Sequence, residues 1–226
     1  MDTSTGKSPE TTLRQGVRRQ QILDIATRLF RNRNYHETSL DHIAAEVGFT
    51  KPAIYYYFES KEAILFEIHR KLIEEATVKI KAIASGEGDA FQRMDRMLRM
   101  HLIMVLEQRD ANKVFYEEQG LLAEDREAQI RSAQRRYERI FREVYIDGVA
   151  EGLLRDVEPS VAVATLLGAC AWSYRWYRDS GRLSQDEVVD VVIGLLSRGF
   201  GVKELEPAPR WFSDGITDSS GGASTS

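Results

Sequence analysis

Residues 39–61 read SLDHIAAEVGFTKPAIYYYFESK, a string that few backbones can accommodate. Leu40, Ile43, Ala44 and Val47 recur at helical spacing, so its first half is a short helix with one buried face. Thr38 and Ser39 offer hydroxyls to cap the first turn, worth about 1 kcal/mol. Gly48 stands where a left-handed residue ends a helix without steric cost. Thr50 is placed to cap a second short helix, and Pro52 falls in its first turn, where a missing N–H is harmless. Helix, glycine turn and helix predict a helix-turn-helix. Ile54 and Phe58, four apart, take the core side of the second helix, so Tyr55, Tyr56 and Tyr57 cannot all share it. With Thr50 and Lys51 they present hydroxyls and a cation, groups suited to phosphate oxygens and base edges.

Upstream, Ile22, Ile25, Ala26, Leu29 and Phe30 mark a helix over 17–33 that packs on Ile43, Val47, Ile54 and Phe58 as a three-helix headpiece. Asn32 to Tyr35 is its turn, with Tyr35 packed beneath the headpiece. Net charge is −4, which at first argues against nucleic acid, but residues 1–61 carry nine Lys or Arg against seven Asp or Glu, leaving −6 for the remainder. Arg14 to His36 contains six Arg and one acid, Asp24. A basic head on an acidic body is the pattern of a DNA reader with a separate core domain.

The rest is helical at every level of patterning, so the expected fold is all-α. Ser60 caps a helix over 61–84, striped by Ile64, Ile68, Leu72, Ala76, Ile80 and Ile83 and long enough, at roughly 35 Å, to act as a rigid lever. Residues 85–89 break it. Further helices are expected over 90–108, 113–122, 123–152, 160–180 and 185–199, with a polar turn at 109–112. The last is apolar nearly all round, the mark of a buried or interfacial helix. Leu167, Gly168, Ala171 and Trp172 mix small and large residues, which lets a neighbouring helix approach closely. The domains expected are a disordered arm over 1–13, a headpiece over 14–61, a core domain over 62–204 and a flexible tail over 205–226, on which Trp211 and Phe212 could dock.

Enzyme chemistry finds little support. There is no phosphate-binding glycine loop of the P-loop type and no Gly-x-Ser-x-Gly. His36, His42, His69 and His101 lack partners at metal-ligand spacing, so neither a metal nor a cofactor is expected. His69 reads as a surface residue; His101, on an apolar stripe, is either a hydrogen-bonded core histidine or a pocket residue. Cys170 reads as small core rather than sensor, and its being single excludes an intramolecular disulfide framework. No apolar run approaches the ~20 residues that cross a bilayer, and the N-terminus lacks a signal-peptide core, so a cytoplasmic protein with no membrane partner is expected.

One segment is specific enough to name a family. Ile43-Ala44-x-x-Val47-Gly48-x-Thr50-Lys51-x-x-Ile54-Tyr55-Tyr56-x-Phe58-x-Ser60-Lys61, preceded by Arg19-x-x-Ile22-Leu23-x-x-Ala26-x-x-Leu29-Phe30 and Tyr35-x-x-Thr38-Ser39, resembles the DNA-binding signature of the tetracycline-repressor family. The resemblance implies a homodimer joined through the last two helices, bound to double-stranded operator DNA and released from it by a small-molecule effector. Its DNA-facing set would be Arg18, Thr38, Ser39, Thr50, Lys51, Ala53, Tyr55, Tyr56 and Lys61, with Tyr55 and Lys61 on phosphates. Ala53, where relatives often carry a polar residue, leaves only an apolar contact, such as a thymine methyl. A ligand cavity is implied in the core, with Met97, His101, Met104, Phe115, Tyr116, Tyr137, Phe141, Trp172 and Arg175 as candidates and Glu118 nearby. Arg175-Trp176-Tyr177 with Gly181-x-Leu183-Ser184 resembles a subgroup regulating fatty-acid and steroid breakdown, several of which bind acyl-CoA thioesters. Arg175 is then either an anion ligand or an interface residue. The alternatives are a dimeric DNA binder without effector and an all-α acyl-CoA-binding enzyme or carrier.

Overall fold

The computed structural model describes residues 9–201, with side chains from residue 13. Ten helices follow in order: α1 Pro9–Glu37, α2 Leu40–Val47, α3 Lys51–Tyr57, α4 Lys61–Ala84, α5 Ala90–Glu107, α6 Arg109–Glu117, α7 Glu124–Ala150, α8 Pro159–Ala171, α9 Ser173–Trp176 and α10 Gln185–Phe200. Among the described residues the only extended pairing is one bridge, Leu154 to Gly201. The expected tail over 205–226 lies outside the described residues, as does the start of the arm.

α1 begins at Pro9, inside the stretch expected to be an irregular arm. Proline suits a first helical position, because the N–H it lacks would have no partner there. The helix breaks at Asn34, whose φ of 61° and ψ of 167° turn the chain. Thr38 does not cap α2. It is buried, and its hydroxyl donates to the Asn34 carbonyl at 2.8 Å, closing the turn. The cap is Ser39, whose Oγ accepts from the His42 N–H while His42 Nδ1 accepts from the Ser39 N–H. Gly48 ends α2 at φ 77° as expected. Thr50 occupies the first boundary of α3 but makes no capping bond with its side chain.

Three junctions fasten this headpiece to the core. Glu67 on α4, buried, accepts from Arg19 of α1 and from Arg70. Burial alone would raise its carboxyl, but the bonds from Arg70 and Arg19 outweigh that and hold it at about 2. Lys61, the first residue of α4, points its ammonium back at α1, donating to the Tyr35 and Thr38 carbonyls at 2.7 Å each and lying 4.1 Å from the Tyr35 ring centroid. α6 receives the end of α1: the Tyr35 N–H donates to Glu118 at 3.0 Å, and Arg31 pairs with Asp110 at 3.1 Å.

In the core, α4 packs along α7 and α5, with Ile64, Leu65, Ile68, Ile73 and Ile80 buried. His69, expected at the surface, is buried with its ring edge-on to Phe115 at 5.0 Å. It sits on the side of α4 that α6 covers, a contact that the local pattern does not encode. α6 starts at Arg109, so the expected polar turn over 109–112 is helical and the redirection is confined to Gln108 (φ −107°, ψ 39°). The single helix expected over 160–180 is two. α8 ends at Ala171, and the Ser173 hydroxyl donates to the Cys170 carbonyl as the chain restarts as α9. Cys170 is fully buried, as expected of a small core residue.

Two outcomes follow. Gly48→Ala places a side chain in the left-handed region and should cost about 1 kcal/mol in a urea titration, with Gly48→Asn closer to wild type. Glu67 stabilises the fold through a carboxyl held below its ordinary 4.5, so its contribution is complete above about pH 4.5 and fades as pH falls toward 2. Glu67→Gln should therefore lower stability at pH 7 by about 2 kcal/mol and flatten the acid limb of stability against pH.

Candidate nucleic-acid interface and core cavity

α2 and α3 meet at the left-handed Gly48, which leaves α3 projecting with Ile54 buried beneath it. On its outer side Tyr55 is 50% and Tyr56 is 63% exposed, large values for tyrosine on a short helix. Tyr56 Oη accepts from Gln15 Nε2 at 2.7 Å, so α1 steadies it. Tyr57 turns inward and stacks on Phe49 at 6.4 Å. Thr50 and Lys51 are exposed beside them, and Ala53 is half-buried. Lys51 pairs with Asp41 at 2.8 Å, and that hydrogen bond and charge raise its ammonium pKa. Arg18 is exposed and its guanidinium lies 5.7 Å from the Phe49 ring centroid, on the same side of the headpiece.

Two of the nine expected DNA-facing residues are corrected by this geometry. The Thr38 hydroxyl is spent inside the turn. The Lys61 ammonium is spent on the Tyr35 and Thr38 carbonyls, with burial lowering its pKa. Ser39 is half-buried, with its hydroxyl engaged in the cap. The outward set is thus Arg18, Thr50, Lys51, Tyr55 and Tyr56, with Ala53 between them.

Within the core, a cavity of about 270 Å³ opens between α4, α5, α6, α7 and α8. Five of the nine expected ligand residues line it: His101, Met104, Phe115, Tyr116 and Tyr137. His101 Nδ1 and Tyr137 Oη lie 2.8 Å apart, and His101 Nε2 is buried without a partner. Burial pushes the His101 pKa down to about 4, leaving the ring neutral at pH 7, and pushes Tyr116 up to about 12. Glu138 is the one acidic residue of the lining, which contains no Lys or Arg.

The other four stand elsewhere. Met97 and Phe141 are wholly buried in the packed core, Phe141 behind Tyr137 at 5.4 Å. Trp172 is 58% exposed because α8 ends there and the chain turns away. Arg175 lies 4.9 Å from the Trp172 ring centroid and 3.6 Å from Glu117, at the surface rather than in the cavity. Conversely, Leu72, Ile73 and Ala76 of α4, Asn112 of α6, Gln134 of α7 and Ala164 and Gly168 of α8 line it unforeseen. Ala76, Ala164, Gly168 and Ala171 supply the room that larger residues would fill.

Two family models match the chain. The model described as bacterial regulatory proteins, tetR family, matches residues 22–68, and the one described as tetracyclin repressor-like, C-terminal domain, matches residues 87–200. A TetR/AcrR-family transcriptional regulator from Thermobifida fusca is 49% identical, with a TM-score of 0.66 over 80% of this chain and 97% of that one. AibR, solved in complex with isovaleryl coenzyme A and operator DNA, is 26% identical, with a TM-score of 0.73 over 79% of this chain and 97% of that one. The transcriptional repressor KstR2 of Rhodococcus jostii is 24% identical over 184 residues, 80% of this chain and 90% of that protein. With its headpiece and core each matched, the chain belongs to the tetR family of bacterial regulatory proteins and is an all-α, DNA-binding transcriptional regulator.

Proposed function

We propose that the chain is a homodimeric repressor that leaves its operator when a small apolar or acyl-CoA effector fills the core cavity. The observation that carries this reading is that the cavity is walled by α4 and α6, the two helices that hold α1. Whatever fills the space bears on Leu72, Ile73 and Ala76 on one side and Asn112 and Phe115 on the other. A change in their spacing is passed through Lys61, Glu67 and Glu118 to the headpiece.

The chemistry of the lining narrows the effector. Apolar walls with a neutral His101–Tyr137 pair suit an acyl or similar apolar group, and the lone carboxylate of Glu138 disfavours burying a second anion there. A coenzyme A ester would therefore put its acyl part inside and its phosphates outside, which agrees with AibR being bound to isovaleryl coenzyme A. Arg175, at the surface beside Glu117, is available to such phosphates or to a partner protomer.

α8 and α10 support the dimer. Val161 of α8, Trp172 just beyond its end, and Val191 and Leu195 of α10 are all exposed, apolar groups that a monomer would leave in water. Two-fold pairing across them would set two copies of α3 one DNA turn apart, about 34–36 Å. Nothing in the reading calls for catalysis, and no helix among the described residues is long and apolar enough to cross a membrane. A cytoplasmic DNA-bound role fits both.

Fluorescence anisotropy with DNA from the region upstream of the coding sequence tests this directly. Operator affinity should fall by about tenfold or more as isovaleryl-CoA or a longer acyl-CoA saturates the protein; unchanged affinity with ligand bound would contradict it. Lys51→Ala should weaken binding to all sequences and reduce the log–log salt slope by about one. Leu195→Glu should yield a folded monomer by native mass spectrometry and a large loss of operator affinity.

A further inference from the structure

Behind the first cavity lies a second of about 220 Å³, between α4, α6 and the first half of α7. Phe115 and Gln134 line both, so these two side chains form the partition. The two spaces differ in character. The second is walled by His69, Gln119, Glu127 and Arg131, all polar, with Ile130 as its apolar floor.

His69 is the anomaly in this lining. His69 is 3% exposed, and its buried Nε2 makes no well-aligned hydrogen bond, the Val114 backbone being the group its ring approaches. A buried ring nitrogen left unpaired is unfavourable, whereas an aliphatic residue at that position would carry no such cost. Burial drives the His69 pKa down to about 4 against the raising effect of the Val114 carbonyl, so the ring is neutral at pH 7. Glu127 and Arg131 pair with each other at 3.5 Å. The cavity thus offers hydrogen bonds while its lining charges are already matched, which suits an uncharged polar group rather than an ion.

We propose that this space is a second, polar subsite of the effector pocket, taking the hydroxyl at the far end of an elongated effector whose apolar body fills the first cavity. Phe115, packed edge-on to His69, is the side chain that swings aside to join the two. The inference rests on the core cavity being the effector site, and not on the effector being a coenzyme A ester. It also makes α4 a direct ligand-reading element, since His69 lies on the same helix as Glu67 and Lys61.

The probes are 1-decanol and 1,10-decanediol, which differ by one terminal hydroxyl. Calorimetry on the full-length dimer should show the diol binding at least tenfold more tightly. The His69 ring nitrogens should shift in ¹⁵N NMR with the diol and not with decanol. His69→Leu should keep decanol binding and abolish the preference. Equal affinities, a preference that survives His69→Leu, or a His69→Leu variant that is merely more heat-stable would overturn the subsite and assign the nitrogen to a trapped water. If neither alcohol binds while an acyl-CoA still releases operator DNA, the subsite fails and the regulator reading stands; if no acyl-CoA acts either, the effector reading fails with it.

Discussion

A single buried carboxylate holds the two halves of this protein in register. Glu67 is buried on α4, and ionised burial is tolerated because Arg19 reaches it from α1 and Arg70 from its own helix. Its bond to Arg19 crosses from core to headpiece, and the same arginine lies over the Phe58 ring at 4.6 Å, so the direction of α3 is tied to the direction of α4. Lys61 repeats the device one and a half turns earlier by binding the Tyr35 and Thr38 carbonyls. Glu118 closes the third side by accepting the Tyr35 N–H, which the break at Asn34 leaves without a helical partner. Charged and backbone groups thus add direction to the apolar core that runs continuously from headpiece to core domain. Such contacts are directional and are lost over short displacements, the property a switch needs.

The cavity is the complement of that rigidity. Where α5 and α7 meet α8, small residues on α8 and at Ala76 leave space beside large ones such as Phe115 and Tyr137. Packed interiors seldom tolerate such voids, because lost contacts and lost burial both cost stability. Here the void adjoins α4 and α6, the helices through which the headpiece is attached. Under the proposed coupling, cavity occupancy and headpiece orientation compete through that packing.

The sequence made some of this legible and hid the rest for identifiable reasons. α2, α3 and α4 were readable to within a residue, because glycine at a left-handed turn, proline in a first turn and serine caps are local signals. The outward tyrosines were readable because Ile54 and Phe58 had already claimed the inner side. The roles of Thr38 and Lys61 were not, since both depend on where the end of α1 arrives, a tertiary fact. His69 was misread for the same reason: only α6, folding back across α4, buries it. Among cavity residues, aromatics and methionine on α5, α6 and α7 drew attention, whereas the alanines and glycine that create the space carry no chemical signature. Trp172 was expected at the cavity and lies outside it because nothing local announces that α8 stops at Ala171, where the Ser173 hydroxyl takes the Cys170 carbonyl; Arg175, left open between ligand and interface, follows it to the surface.

The central claim is that cavity occupancy is converted into headpiece spacing. A spin label at Ala45→Cys, on the exposed side of α2, reports that spacing in the dimer by double electron–electron resonance, with the buried Cys170 left unlabelled. The account predicts a narrow distance distribution for the operator-bound dimer, set by half-sites about 34–36 Å apart, that lengthens or broadens when an acyl-CoA is added. An unchanged distribution under ligand that nevertheless releases the DNA would contradict it.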